Sequence, residues 1–459
     1  MPLIRRRRNK PTGIPNRFNV TGFTAGAVCV IVGAITPFTL RLVGDLYYSE
    51  ILLPLLLPFL LVVKGREMFR STLRPILLLL GLWLSAQIIT DVYRQTAMMN
   101  WLRGDANLIF FAIDLLALVA LMSGSESRKI LFIVAYAVCR LVEARFSPSV
   151  EEGRLPWKFG YAPGLVLLTL LVGCYFYKRR NFTLMILLFL AFSTINVVMN
   201  YRSMVLFMLL VIAMTVPIIP ERIGRLQLLP RGPTARLLVT AALAISAGGV
   251  ALGIVELATK SGILGQEQQE KNEKQAQSTG GMLLGGRPEI LVSSRAILDS
   301  PILGHGSWPK EPRYTEMLTD IEARYGIHVD LESGDEARAG VIPSHSSLFG
   351  AWVSAGIGGA VFWIYLIPQV VKALVKLTSL RITLAPLYVY LLINLFWDIF
   401  FSPFNGNHRM IAAFDLVIMI DTLETRVPAL AARFSGRFGK TARRPAVWRP
   451  SLPAGASRV

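Results

Sequence analysis

The sequence has few of the residues on which disulfide-rich and metal-binding proteins depend. Only three cysteines and four histidines occur in 459 residues, and charged residues make up 17%. Cys29, Cys139 and Cys174 all fall within long apolar runs, where a thiol packs as a small apolar side chain. Cysteines in such positions predict neither a disulfide framework nor a metal cluster. The polar connections also lack a D-x-D or E-x-D pair, the carboxylate motif that would hold Mg²⁺ or Mn²⁺. The sequence therefore predicts no metal and no cofactor.

Apolar residues dominate the composition of the chain. Hydrophobic residues make up 53% of the chain, and apolar runs recur that are long enough to cross a hydrocarbon core about 30 Å thick. We therefore predict an all-α polytopic membrane protein with about twelve transmembrane helices. The predicted spans are 18–39, 46–63, 75–91, 106–122, 129–142, 161–177, 182–199, 203–220, 237–256, 346–371, 383–402 and 408–424.

The net charge of +19 follows the predicted topology. Most of the Lys and Arg residues lie in the two tails and in alternate connections, such as 64–74, 178–180 and 372–381. The positive-inside rule then places both termini in the cytoplasm, as expected for a multi-pass protein of the bacterial inner membrane. The run from Arg5 to Arg8 indicates a topogenic anchor that contacts anionic membrane lipids, rather than a site for nucleic acid.

The chain divides into five segments on this basis. Residues 1–17 form a basic tail, 18–256 the first nine spans, 257–345 a large periplasmic loop, 346–424 the last three spans and 425–459 a second basic tail. A loop after the ninth span does not match a transporter built from two six-helix halves. A transporter or flippase of lipid-linked or anionic solutes nevertheless stays an alternative, because charged residues such as Asp114 lie within predicted spans.

The loop itself contains two predicted helices. Apolar residues recur at helical spacing over 287–300, with Pro288 in the first turn and Pro301 after the end. We expect this helix to lie on the membrane surface or to cap the bundle. The Gly304-His305-Gly306 sequence that follows predicts a turn, and a second short helix is predicted over 314–325.

Three arginines are candidates for binding phosphate, because a guanidinium group holds diphosphate oxygens bidentately and keeps its charge. Arg202 lies in the short connection before the eighth span, and Arg287 and Arg295 lie about 80° apart on the first loop helix. The alternatives are a snorkelling arginine at a helix end for Arg202 and a solvated helix face for the other two.

His345 lies where the loop re-enters the membrane. Near neutral pH an imidazole can accept a proton from a hydroxyl group, although a histidine in this position is also typical of a helix cap. Ser344 is the expected N-cap of the tenth span. Asp398 and Asp415 lie within spans near the same surface, where they either orient Arg202 or His345 or pair helices structurally.

These motifs together resemble those of the bacterial O-antigen ligase and polymerase family of membrane glycan transferases. Gly286-Arg287 and 299–306 (DSPILGHG) are similar to its G-R and P-L-L-G-x-G motifs, and 344–348 (SHSSL) with 355–359 (AGIGG) to its H-N-x-x-L and G-x-x-G motifs. Ser346 stands where the family usually has asparagine. We interpret Gly356, Gly358 and Gly359 as sites of close helix packing.

The resemblance implies a GT-C-like fold and a metal-independent, inverting transfer of glycan at the periplasmic face. It implies that Arg202, Arg287 and Arg295 bind the diphosphate of an undecaprenyl-linked donor, and that His345 acts on the acceptor hydroxyl. The departure at Ser346 favours an O-antigen or exopolysaccharide polymerase over a ligase that transfers glycan to lipid A core. Other polysaccharide-assembly proteins are expected partners.

Overall fold

A computed structural model describes residues 20–41, 44–65, 70–199, 201–216, 242, 249, 288–325, 340–378, 380 and 382–425. Apart from residues 242 and 249, the predicted ninth span lies outside these ranges, as do the predicted tails except residue 425 and much of the predicted loop, including Arg287. The described part of the chain is all-α with one small hairpin. The predicted all-α class is therefore confirmed for these residues.

The helices are numbered here in chain order. They are α1 Val20–Ile35, α2 Tyr48–Lys64, α3 Leu73–Arg94, α4 Met98–Met122, α5 Glu126–Phe146, α6 Val150–Arg154, α7 Ala162–Lys178, α8 Phe182–Val198, α9 Arg202–Thr215, α10 Glu289–Asp299, α11 Pro312–Tyr325, α12 Ser347–Leu377, α13 Ala385–Phe401 and α14 Gly406–Glu424. A π-helical segment, Pro156–Tyr161, leads directly into α7.

Four of the described helical segments are long and apolar enough to cross a membrane: Leu73–Arg94, Met98–Met122, Pro156–Lys178 and Ser347–Leu377. Shorter apolar helices occur at Thr24–Ile35, Phe182–Val198, Arg202–Thr215 and Ala385–Phe401. This composition is compatible with a membrane protein. The count of twelve spans stays a prediction.

Polar contacts show which helix ends lie together. Asp421 near the end of α14 pairs with Lys129 near the start of α5, with Nζ and Oδ2 2.5 Å apart, and with Arg70 before α3, at 2.9 Å. The Gly124 backbone N–H, between α4 and α5, also donates to Asp421 at 2.8 Å. Two of the connections that the sequence predicts to be cytoplasmic, the one before α3 and the one between α4 and α5, therefore meet the end of α14 at one end of the bundle.

At the other end, which we call the α10 end, α10 and α11 pack against the start of α12. The Ser347 hydroxyl there donates to the Ser402 carbonyl oxygen, between α13 and α14, at 2.8 Å. The Arg409 guanidinium forms two hydrogen bonds of 2.7 Å with the Glu50 carboxylate and also donates to Asn107, which ties α14 to α2 and α4. The candidate site lies at this end.

Close packing of α3 on α12 builds the centre of the bundle. A Cβ atom on Gly358 would come within 2.4 Å of the Ala86 Cβ, so only glycine permits this approach. Trp83 packs against Phe362 and Trp363, with ring centroids 5.4 and 6.0 Å apart. The prediction of close packing is confirmed for Gly358 and Gly359, whereas Gly356 forms a break in the helix.

A short hairpin, which the sequence analysis did not predict, precedes α2. Strands β1 (Thr39–Arg41) and β2 (Asp45–Tyr47) pair antiparallel, with Leu40 opposite Leu46. Next to it, a cavity of about 70 Å³ is lined in part by Arg140, which pairs with Glu143 and Glu152. The predicted fifth span thus belongs to the longer helix α5, whose last turns carry charge.

Candidate active site

Ser346 builds the N-terminus of α12. Its backbone is extended (φ −145°, ψ 135°), and its hydroxyl accepts a hydrogen bond from the Phe349 N–H at 3.2 Å. The same hydroxyl donates to the Ile399 carbonyl oxygen in α13 at 2.8 Å. Ser346, rather than Ser344, is therefore the N-cap of α12, and the expectation for Ser344 was wrong. Asparagine caps a helix as well as serine does, so either residue would serve as the cap at this position.

His345 directly precedes this cap, so its backbone is fixed beside the end of α13. Its side chain is 50% exposed, and Nδ1 lies 3.8 Å from Oε1 of Glu289, the first residue of α10. This distance suits an ion pair and exceeds that of a hydrogen bond. Hydrogen bonds of catalytic groups are often long before substrate binds. The structure thus presents an accessible imidazole with a carboxylate beside it.

A second carboxyl group, that of Glu322, lies near Glu289. Glu322 of α11 is 5% exposed, and burial, followed by the negative charge of Glu289, raises the pKa of Glu322. Oε2 of Glu289 and Oε1 of Glu322 are both buried and have no hydrogen-bond partner within the described ranges. Sequence analysis missed both residues, because the helical periodicity places them on loop helices without showing which of their faces meet.

A small apolar core fixes these carboxyl groups relative to His345. Val292 and Ala296 of α10, Tyr314 of α11, Ile342 before α12 and Val353 of α12 are buried against one another. The predicted loop helices are confirmed at Glu289–Asp299 and Pro312–Tyr325. Since α10 packs on both α11 and α12, it caps the bundle here, one of the two positions expected for it.

The Gly304-His305-Gly306 turn docks into the break of α12. Gly356 has φ 60° and ψ −151°, which frees the carbonyl groups of the preceding turn. The His305 and Gly306 backbone N–H groups donate to the Val353 and Ser354 carbonyl oxygens at 2.7 and 2.9 Å. Both imidazole nitrogens of His305 face oxygen atoms, of Glu311 and Ala296, at 2.5 and 2.8 Å. This motif therefore acts as a packing element that holds α10 on α12.

Side chains of helix α3 also bind the Gly304-His305-Gly306 turn and the residue after it. Asp91, which is 1% exposed, accepts hydrogen bonds from the Ser307 N–H at 2.6 Å and from the Ser307 hydroxyl at 2.5 Å. Arg94 donates to the Gly304 carbonyl oxygen at 2.9 and 3.1 Å. Sequence analysis missed both residues. The feature that could have indicated them is that two charged residues, Asp91 and Arg94, stand at the end of an apolar run.

Arg202 also lies near the end of α13, on the side where α9 packs. It is the first residue of α9, and Phe207 of α9 packs 5.4 Å from Trp397 of α13. Burial, followed by the charge of Asp398, raises the pKa of Tyr201 to about 12, so Tyr201 lies near Asp398. Asp398 precedes Ile399, to which Ser346 is bound. The structure thus brings Arg202 and His345 to the end of α13.

Arg295 lies on the exposed face of α10. Its side chain is 61% exposed and pairs with Asp299 one turn later, with Nη2 and Oδ1 3.1 Å apart. Tyr314, which donates a hydrogen bond to Asp299, and then Arg295 and Arg313 lower the pKa of the Asp299 carboxyl. Diphosphate binding by Arg295 stays a prediction, and it would compete with this ion pair. Arg287 lies outside the described residues.

Asp398 and Asp415 lie close together on α13 and α14. Asp415 is completely buried, and Asp398 accepts a hydrogen bond from Asn394 at 2.9 Å. His408 also lies near Asp398. The bond to Asn394 lies within α13, so a role of either carboxylate in orienting Arg202 or His345 stays a prediction.

Within the described ranges, no group of three or more His, Cys, Asp or Glu side chains has an arrangement that would hold a metal ion. No protein-family model, curated protein or solved structure matches the chain. The similarity to the O-antigen ligase and polymerase family therefore stays a resemblance of motifs.

Proposed function

We propose that the protein is a membrane glycan transferase that uses an undecaprenyl-diphosphate-linked glycan as donor. One observation carries the proposal. An accessible imidazole, His345, lies beside a carboxylate near the end of α13, where α9 begins with Arg202. An imidazole that removes a proton and a guanidinium that binds diphosphate are the two groups that this reaction needs.

The proposed reaction is an inverting displacement. His345 takes the proton of the acceptor hydroxyl, and the oxygen attacks the anomeric carbon of the donor. The bond between that carbon and the diphosphate oxygen breaks, and the electron pair leaves with the lipid diphosphate. Arg202 and Arg287 stabilise the charge of the leaving group without a metal ion, and Arg295 assists if its pair with Asp299 opens.

The proposed setting is the bacterial inner membrane, with twelve spans, both termini in the cytoplasm and the α10 end in the periplasm. The grouping of Arg70 and Lys129 at the opposite end agrees with this orientation, because basic residues favour the cytoplasmic side. The lipid tail of the donor would lie between helices.

A polymerase and a ligase differ only in the acceptor. The polymerase joins one lipid-linked repeat unit of O-antigen or exopolysaccharide to another, whereas the ligase transfers glycan to lipid A core. Since Ser346 caps α12, as asparagine also would, this position supports neither alternative over the other. We keep the polymerase as the first proposal and the ligase as the second.

The test uses purified protein in detergent and EDTA, with a lipid-diphosphate-linked oligosaccharide and with or without lipid A core. Mass spectrometry should show longer lipid-linked glycans for a polymerase, or glycan on the core for a ligase. His345→Ala and Arg202→Ala should abolish transfer, and Arg313→Ala, at an exposed arginine outside the candidate site, should not. Full transfer by both His345→Ala and Arg202→Ala would contradict the proposal.

The second candidate function is transport of a lipid-linked or anionic solute. Asp114 favours it, because this residue of α4 is completely buried and neither carboxyl oxygen has a hydrogen-bond partner in the described part of the chain. Intramembrane carboxylates often lie on transport pathways. Folded protein that makes no product in detergent, but moves lipid-linked glycan across a liposome membrane, would favour this function.

A further inference from the structure

Glu289 and Glu322 lie in different surroundings. Glu322 is 5% exposed and has a raised pKa, whereas the Glu289 side chain is 23% exposed and lies in the first turn of α10. A helix N-terminus stabilises negative charge, and two neighbouring carboxyl groups resist ionising together. Burial and the neighbouring negative charge therefore both favour the protonated form of Glu322.

A proton on Glu322 would also account for two buried oxygens. Oε2 of Glu289 and Oε1 of Glu322 have no hydrogen-bond partner among the described residues. Buried carboxyl oxygens without partners are costly, and a protonated carboxyl supplies the donor that a carboxylate lacks. A hydrogen bond from protonated Glu322 to Glu289 would give both oxygens a partner. Oε1 of Glu289 is then left to face Nδ1 of His345.

We propose that Glu289 is the positioning residue of His345, and that protonated Glu322 orients Glu289. In this arrangement Nδ1–H of His345 faces Oε1 of Glu289 across 3.8 Å. The charge of the carboxylate favours a hydrogen on the nearer ring nitrogen, so that Nε2 carries none. The partner of one ring nitrogen decides which nitrogen carries the hydrogen. The catalytic consequence rests on the proposed transferase function, whereas the arrangement itself is measurable without substrate.

The proton of the acceptor hydroxyl then has a defined path. The hydroxyl O–H bond of the acceptor breaks and an N–H bond forms at Nε2, so that the imidazole becomes a cation. The Glu289 carboxylate stabilises this cation and keeps its own charge. Its contribution should therefore appear in the turnover rate rather than in donor binding.

The first test is spectroscopic. With only four histidines in the chain, ¹⁵N-histidine labelling gives few signals, and His345→Ala identifies the one of interest. At a pH where the ring is neutral, the protein should show the Nδ1–H tautomer at His345. Glu289→Gln should shift the population toward the Nε2–H tautomer. Glu316→Gln, which removes an exposed carboxylate from the same helix as Glu322, should leave the tautomer unchanged.

Glu322 has its own pair of variants. Glu322→Gln keeps a neutral side chain that donates a hydrogen bond, so His345 should keep the Nδ1–H tautomer. Glu322→Ala removes the donor and should shift the tautomer in the direction that Glu289→Gln does. Equal spectra for Glu322→Gln and Glu322→Ala, both like the unmodified protein, would overturn the role of Glu322.

The second test measures transfer in the same variants. Glu289→Gln should lower kcat about 100-fold, near the lower limit for loss of general-base assistance, with KM for the donor nearly unchanged. Glu316→Gln should retain full activity. If transfer depends on His345 while Glu289→Gln changes neither kcat nor the tautomer, the positioning role fails and the transferase function stands. If Glu289→Gln changes the tautomer in a protein without transferase activity, the positioning stands and the function fails.

Discussion

Gly356 lies directly against the Ile302 carbonyl oxygen, so that a Cβ atom on Gly356 would come within 1.9 Å of it. Residue 356 interrupts α12, and residue 302 belongs to the turn that fills the break. The contact joins the segment that carries Glu289 to the helix that begins after His345. The geometry of the candidate site thus depends on a glycine at this position.

Gly356→Ala should therefore destabilise the protein and impair the site together. The Cβ clash and the positive φ angle should cost about 2 kcal/mol or more. We expect a lower melting temperature in detergent and reduced glycan transfer. Gly81→Ala is the matched control, because a Cβ atom there meets nothing described within 4 Å, and alanine stabilises a helix interior by up to about 1 kcal/mol. A Gly356→Ala protein as stable as Gly81→Ala would contradict the packing argument.

The cap at Ser346 gives a second prediction. Ser346→Ala removes the acceptor for the Phe349 N–H and should cost about 1 kcal/mol of stability, whereas Ser346→Asn should keep the cap. Thermal unfolding and glycan transfer should rank the serine and asparagine forms above alanine. Ser85→Ala, at a serine within α3, should have little effect. An asparagine form that changes the acceptor from one class to the other would show that this side chain does more than cap the helix.

The buried carboxyl of Glu322 predicts a dependence of stability on pH. Its pKa in the folded protein is raised above the unfolded value of about 4.3. Below that value both states hold the proton; as pH rises, the unfolded state releases it first, so the free energy of unfolding falls until the folded pKa is passed. Glu322→Gln should remove this loss and be more stable than the unmodified protein at neutral pH. Melting temperatures measured from about pH 4 to neutral will test this, with Glu316→Gln showing no such gain.

The Arg409 and Glu50 pair gives a fourth prediction. Both side chains are buried, so removal of one partner leaves an uncompensated charge. Arg409→Met or Glu50→Leu alone should cost about 3–5 kcal/mol, and the double substitution should recover most of that stability. The exposed pair of Arg295 and Asp299 is the contrast, where Arg295→Gln should change stability by less than about 1 kcal/mol. Additive losses in the Arg409 and Glu50 double variant would show that the two charges are not coupled.

Much of the helical structure followed from the sequence. The predicted helices over 287–300 and 314–325 correspond to α10 and α11, and most predicted spans with described residues correspond to single helices. The cysteines are free, and two of them are buried, as their apolar surroundings indicated. These features depend on residues close together in the chain, where composition and periodicity act directly.

The sequence by itself determined the all-α character of the described residues and the position of most of their helices, because apolar runs and helix breakers are local properties. Tertiary structure alone decided that Glu289 lies beside His345 and Glu322 near Glu289, that Asp91 binds Ser307, and that Gly356 breaks α12 around a turn some fifty residues earlier in the chain. The reason is physical: these contacts join residues far apart in the chain, and which buried polar groups find partners depends on how the helices pack.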